Sequence, residues 1–307
     1  MAISRSQLVK ELEPGLNALF GMEYNRYENE HAEVFAIESS DRAFEEEVML
    51  TGFGEAPTKN EGAGVSYDSA QESFTARYTH ETIALAFALT EEAIEDNLYD
   101  RLAARYTKAL ARSMAYTKQV KAASILNNAF NTTGPYNGGD GVSLCNNAHP
   151  TALGPNFSNV PSTAADLNET SLEQGIIDVA GFTDERGLKI AISVRKMIIP
   201  KELQFTAERL MKSTLRTETA DNDINAIKSM GMVPQGYSVN HFLTDSDAWF
   251  LLTDAPNGLK MFQRSDIKTA FEGDFDTGNV RYKARERYSF GWSDPRAIWG
   301  SEGYTPA

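Results

Sequence analysis

The sequence predicts a mixed α+β protein. Three observations carry that expectation: a breaker-rich hairpin pattern over 44–89, about forty residues of helical periodicity after it, and then strands alternating with helices.

Residues 1–43 read as an N-terminal arm. Leu8, Leu12, Leu16, Leu19 and Phe20 recur at helical spacing, and Pro14-Gly15 is expected to divide them into one or two short helices. So narrow an apolar stripe needs something else to pack on. The hairpin follows. Phe44-Glu45-Glu46-Glu47-Val48-Met49-Leu50 climbs to a tip holding Gly52, Gly54, Pro57, Gly62 and Gly64, almost bare of large apolar residues. Phe74, Ala76 and Tyr78 then alternate with Thr75, Arg77 and Thr79, a period of two. Such a segment extends from the body and needs a partner.

Thr90 is placed to cap a helix whose first turns carry Glu91, Glu92, Glu95 and Asp96, which suit the positive end of the helix dipole. Ile94, Leu98, Leu102, Tyr106, Leu110 and Met114 recur every fourth residue, unlike the three-four alternation of a coiled coil, so a rod lying on a flat body is expected. The helix should stop near Phe130. Residues 131–168 are loop-rich. Beyond them the patterns predict a helix over 171–182, a strand holding Ile190, Ile192 and Val194, and a helix from Lys201 to Leu215 opened by Pro200. A short helix near 221–230 and a strand around Tyr237, Val239 and His241 come next. Trp249–Leu252 and Leu259–Phe262 flank Asp254-Ala255-Pro256-Asn257-Gly258, which reads as a hairpin turn. The last strand, Val280–Phe290, sets Arg281, Lys283, Arg285 and Arg287 on one face; Tyr282, Ala284 and Tyr288 take the other, with Glu286 the exception.

Bulk properties narrow the function. A chain of 307 residues with 41% hydrophobic and 23% charged content has room for about two domains. The net charge of -14 repels phosphate and argues against sequence-specific nucleic-acid binding. The single cysteine, Cys145, excludes an intrachain disulfide, and no activating base pattern surrounds it. The N-terminus lacks a signal-peptide core, and the longest apolar run, Ile83–Leu89, is far short of a membrane span; a cytoplasmic origin is expected.

Gly138-Gly139-Asp140-Gly141 lacks the Gly-Lys-Ser/Thr of a phosphate loop. Asp221, Asp223 and Asn225 open like a calcium loop, yet Ala226 and Met232 stand where Gly and Glu are required, so a helix start fits better. His31, His80, His149 and His241 never fall at metal-ligand spacing. No enzyme, cofactor or metal is therefore expected. The basic row on the last strand is expected to meet acidic residues of a neighbouring subunit, Glu45, Glu46 and Glu47 first, with contact to DNA as the other reading.

Specific stretches resemble the tailed-phage major capsid family with the Hong Kong 97-type fold. Ala86-Phe87-Ala88-Leu89-Thr90-Glu91-Glu92 with Asp96 is similar to the approach to its spine helix. Asp184–Ile192, then Ile198-Ile199-Pro200 and Leu203, resembles the strand-to-helix passage of its axial domain. His241–Trp249 and Asn279–Arg287 resemble its later strands. The resemblance implies an N-terminal arm (1–43), an extended β-hairpin loop with its return strand (44–89), a peripheral-domain spine helix (90–135), a mainly axial α+β domain (136–275) and a strand returning to the peripheral domain (276–307). It also implies a virion subunit that assembles with itself into hexamers and pentamers around non-specifically packaged double-stranded DNA, with portal and decoration proteins as partners and no membrane. The short arm points to a separate scaffolding protein. A bacterial nanocompartment shell around a protein cargo, or an acidic hydrolase, are the alternatives. Some relatives join a loop lysine to an asparagine of the next subunit; here Lys59 occupies the loop tip, but Pro57–Gly62 offers no apolar residue to desolvate its amine, so no cross-link is expected.

Overall fold

The computed structural model describes residues 5–90, 99–216, 223–273 and 279–304. Helix α1, Arg5–Tyr24, continues through Pro14 where a break was expected. An interior proline removes one backbone bond and costs about 3 kcal/mol. Burial of Leu16 and Phe20 beyond it, in one cluster with Leu110, Ala111, Met114, Tyr282 and Ala284, offsets that cost.

Strands β1 (Ala36–Ser39), β2 (Phe44–Leu50), β3 (Glu72–Thr79) and β4 (Glu81–Leu89) come next. The long helix α2 spans Tyr99–Asn127, ~44 Å at 1.5 Å per residue. The expected cap turns at 91–98 lie outside the described residues. Its buried face carries Ala103, Thr107, Leu110 and Met114, stepping by four, three and four. A constant step of four drifts by ~40° each time around a helix of 3.6 residues per turn. Tyr106 has accordingly left the buried face and is 48% exposed.

Helix α3 (Glu169–Ala180) starts at Asn168, which forms a capping box with Ser171. Strand β5 begins at Val194 and runs to Ile199; Ile190 and Ile192, expected inside it, precede it and are only partly buried. The predicted 201–215 helix is a 3-10 turn, Lys201–Leu203, followed by α4 (Gln204–Lys212). It stops early because the Ser213 hydroxyl donates to the Leu215 carbonyl and turns the chain. Helix α5 (Ala226–Met230) is capped by Asn225, while Asp221 lies outside the described residues. The remaining strands are β6 (Tyr237–Val239), β7 (Trp249–Thr253), β8 (Leu259–Gly273), β9 (Val280–Trp292) and β10 (Ile298–Ser301).

These strands make a first sheet in the order β1-β8-β9-β4, a second in the order β10-β7-β5-β6, and the separate β2-β3 hairpin. The turn at 254–258 is a crossover between sheets and no hairpin. Both edges of β7 are taken, by β5 and β10, so β8 must pair elsewhere, with β1 and β9. Asn257 still adopts the left-handed conformation, φ 58°, that the turn chemistry requires.

Packing distinguishes the two sheets. One apolar cluster, including Leu126, Ile198, Phe250, Met261 and Tyr288, joins α2 to both sheets, and another packs α3 and α4 against the second sheet. The first sheet has α1 and α2 on one face only. Along much of β9 and β4 its other face is open: Arg281, Lys283, Arg285, Ala84, Ala86 and Ala88 are all exposed.

Candidate assembly surface

The hairpin is the most distinctive element, and its root is firmly fixed. β2 and β3 pair from Phe44↔Thr79 to Val48↔Thr75, with a register shift before Leu50. Alternation turns Glu45 and Glu47 toward the body and leaves Glu46 exposed. Glu47 is held by Lys260 and accepts from Ser293; Lys260 also meets Glu38 at 3.0 Å. Burial works against the charge on Lys260, yet the bonds from Glu47 and Glu38 outweigh it and hold its pKa above the usual value. The Tyr78 hydroxyl pairs with Ser293, and its ring packs edge-on to Phe262, centroids 4.8 Å apart. A Cβ on Gly291 would stand 2.7 Å from the Tyr78 ring, and one on Gly139 would stand 2.4 Å from the Thr75 carbonyl oxygen. Both glycines are thus required for the hairpin to seat.

Beside the root, the Ser40 hydroxyl donates to Glu45 at 2.7 Å and lies 2.9 Å from His80, whose other nitrogen is 3.0 Å from Ser289. Burial lowers the His80 pKa, with Arg287 and Arg264 adding to the effect and Glu45 opposing it. Arg77 lies 3.8 Å from Glu46 at the surface. The three acidic residues expected to reach a neighbour therefore each have a partner within their own chain.

A second anchor lies behind β3. Arg296 donates to Glu185 at 2.9 Å and to the Thr183 carbonyl at 2.6 Å, and Ser73 of the hairpin donates to Glu185 at 3.2 Å. Arg186 bonds Asp68 at 3.0 Å, and Asp68 accepts from the Gly54 amide at 2.7 Å. The backbone bonds from Gly54 and Ser69, then Arg186, depress the Asp68 pKa. The limbs of the loop are thereby tied down while residues 55–64 stay exposed, Lys59 among them. The loop is also less bare than its glycines suggest: Phe53, Val65 and Tyr67 are 64%, 70% and 96% exposed.

On β9 the basic row points outward as expected, with Arg281, Lys283 and Arg285 exposed and Arg287 half-buried. Glu286, the irregular residue of the opposite face, is fully buried. It pairs with Lys118 of α2 at 2.8 Å and accepts from the Tyr24 hydroxyl of α1 at 3.1 Å. This carboxylate joins arm, long helix and sheet, a role its sequence position did not reveal. Burial pushes the Cys145 thiol far above its usual pKa, so it is no nucleophile. Among the described residues no group of three His, Cys, Asp or Glu side chains could hold a metal ion.

The family model described as phage capsid protein matches residues 72–301. Solved structures agree in fold. The virus-like particle of Pyrococcus furiosus aligns with a TM-score of 0.51 at 10% identity, over 93% of this chain and 97% of its own. The capsid of an empty GTA particle gives 0.55 at 13% identity, over 89% of each chain. The procapsid of bacteriophage JBD30 gives 0.52 at 13% identity, over 99% of this chain and 77% of the other. No curated protein matches by sequence.

Proposed function

The chain belongs to the phage capsid protein family, and from that premise we propose that it is the major shell subunit of a phage head, assembling into hexamers and pentamers around double-stranded DNA. Its role is structural, not catalytic. The match across 72–301 carries the reading, because it takes in the whole second sheet, every strand of the first but β1, α2 and the return limb of the hairpin.

In this reading residues 1–43 are the arm, 44–89 the extended loop with its return strand, 90–135 the spine helix, 136–275 the axial domain and 276–307 the return to the peripheral domain. The exposed part of the loop, with Lys59 at its tip, lies over an adjacent subunit. Exposed apolar side chains on an anchored, protruding hairpin support this, since such groups are normally covered in the assembled state. A separate scaffolding protein, a portal and decoration proteins are the expected partners, and assembly takes place in the host cytoplasm.

The test is light scattering and negative-stain microscopy of the full chain, alone and co-expressed with its neighbouring genes. Closed particles of megadalton mass containing DNA are expected. A sharp 33.9 kDa monomer at every concentration and salt would overturn the shell reading, and particles filled with protein alone would overturn the DNA cargo.

A further inference from the structure

We propose that the open face of the first sheet is a binding surface for the phosphate backbone of double-stranded DNA. The proposal takes DNA as cargo from the reading above, but the contact it describes belongs to the unassembled subunit as well.

Its geometry is that of a cationic rail along one strand. Arg281, Lys283, Arg285 and Arg287 occupy alternate positions of β9, ~6.8 Å apart, so the row is ~20 Å long. Lys268 sits opposite Arg285 on β8 and is exposed, which widens the row to two strands. Beyond it a shallow cleft between β1 and β8 is lined by Ser39, Ser40, Arg264, Ser265 and Lys268. Arg264 and Arg287 each keep a buried Nε with no hydrogen-bond partner among the described residues. The exposed charged ends of Lys268, Lys283 and Arg285 are what an anion would meet on this face. The acidic groups nearby are Glu272 opposite Arg281, Asp266 and Glu38 in the lining of the cleft, Glu38 paired with Lys260, and Glu45, held by Ser40.

The alternative occupant, an acidic surface of another subunit, fits less well. Protein interfaces concentrate their energy in aromatic or large aliphatic anchors. The rows flanking the rail hold Ala84, Ala86 and Ala88 on one side and Ala270 on the other. Methyl groups give a partner protein nothing to grip, yet they let a rod-shaped polyanion approach the cations closely. The acidic run expected as the partner, Glu45–Glu47, is engaged by Ser40, Arg77, Lys260 and Ser293 of its own chain. On a chain of net charge -14, such a rail would make DNA contact local, non-specific and strongly salt-dependent.

The experiment measures binding of unassembled full-length subunits to a fluorescent 30-base-pair duplex of mixed sequence by anisotropy, from about 20 to 200 mM salt. Neutralising about three phosphates gives a log–log slope near -3, and Lys283→Ala/Arg285→Ala should flatten it by about 2. The double variant should bind at least about tenfold more weakly at the lowest salt. Lys59→Ala serves as a control that removes an exposed cation elsewhere and should shift neither quantity. Circular dichroism and thermal midpoints confirm that the variants fold. DNA affinity and slope unchanged in the double variant would overturn the proposal. If the same variant also failed to assemble, the rail would be assigned to a neighbouring subunit instead. Shell formation is scored separately, so failure to form shells leaves the DNA result standing on its own.

Discussion

In the second sheet every residue of β7 and β10 is buried, and so are four of the six in β5. In the first sheet β9 alternates: Tyr282, Ala284, Glu286 and Tyr288 are buried, while Arg281, Lys283 and Arg285 between them are exposed. The enclosed sheet is short-stranded and mainly apolar, with clusters on both faces. The half-open one is long-stranded and chemically two-sided. The difference is one of solvent access: one sheet is covered on both faces, and the other leaves one face free for the contact proposed above. Substitutions in the first kind of sheet should cost stability, and outward ones in the second should cost association alone.

The largest effect expected is therefore Trp299→Ala. Trp299 is 1% exposed and lies 5.0 Å, centroid to centroid, from Trp249. Its removal should cost about 3–5 kcal/mol by denaturant unfolding. The outward change Lys283→Ala should stay within about 0.5 kcal/mol of the parent. Equal costs for the two would break the comparison.

Next comes the one charge on the covered face of β9. Replacing Lys118 by Met strands Glu286 in an apolar setting, and breaking a buried pair typically costs about 3–5 kcal/mol. Because the desolvation cost disappears with the charge, Lys118→Met/Glu286→Leu should recover most of that loss. If the double variant is no more stable than the single one, the pair does more than neutralise itself.

His31 sharpens the picture through pH. It lies in the arm and packs on the first sheet, its ring 5.9 Å from Phe290 of β9. Burial, aided by Lys118 and opposed by the bond to Gln119, lowers its pKa from 6.5 to about 4. Because the folded pKa is the lower one, the unfolded chain binds the extra proton between these values. Stability should thus fall as pH drops from about 6.5 to 4, by up to about 3 kcal/mol, and level off below. His31→Phe should remove that component from the pH dependence of the unfolding midpoint.

What the sequence disclosed follows the same division. The outward row of β9 and the return strand β3 were legible because a half-buried strand alternates with a period of two. The burial of α1 could be foreseen in kind, though not its passage through Pro14, which depends on packing against α2. Partner choice was hidden. Asp254–Gly258 has the same local chemistry whether it joins two strands of one sheet or crosses between sheets, and only the occupied edges of β7 decide. Gly138-Gly139 reads as a flexible loop, yet a Cβ at Gly138 would fall 2.1 Å from the Trp292 ring, a constraint from 154 positions away. Glu286 looked like a lapse in the pattern because its partners, Lys118 and Tyr24, lie on two helices remote in sequence.

The smallest effect on the folded subunit should come from the exposed end of the hairpin. Residues 55–64 are all exposed, whereas Gly54 is fastened through Asp68 to Arg186 and Thr51 pairs with Gln71. Replacing 55–64 by a short Gly-Ser linker keeps both fastenings, and loop-closure entropy changes by only about 0.6 kcal/mol for each twofold change in length. The unfolding midpoint should hence barely move. Assembly responds to a different quantity, the contacts this limb makes with an adjacent subunit. A subunit that keeps its stability but no longer closes into shells would place the function of the loop outside its own chain. Normal shells from the shortened chain would place it nowhere in assembly, and would leave the exposed Phe53, Val65 and Tyr67 as the side chains to test next.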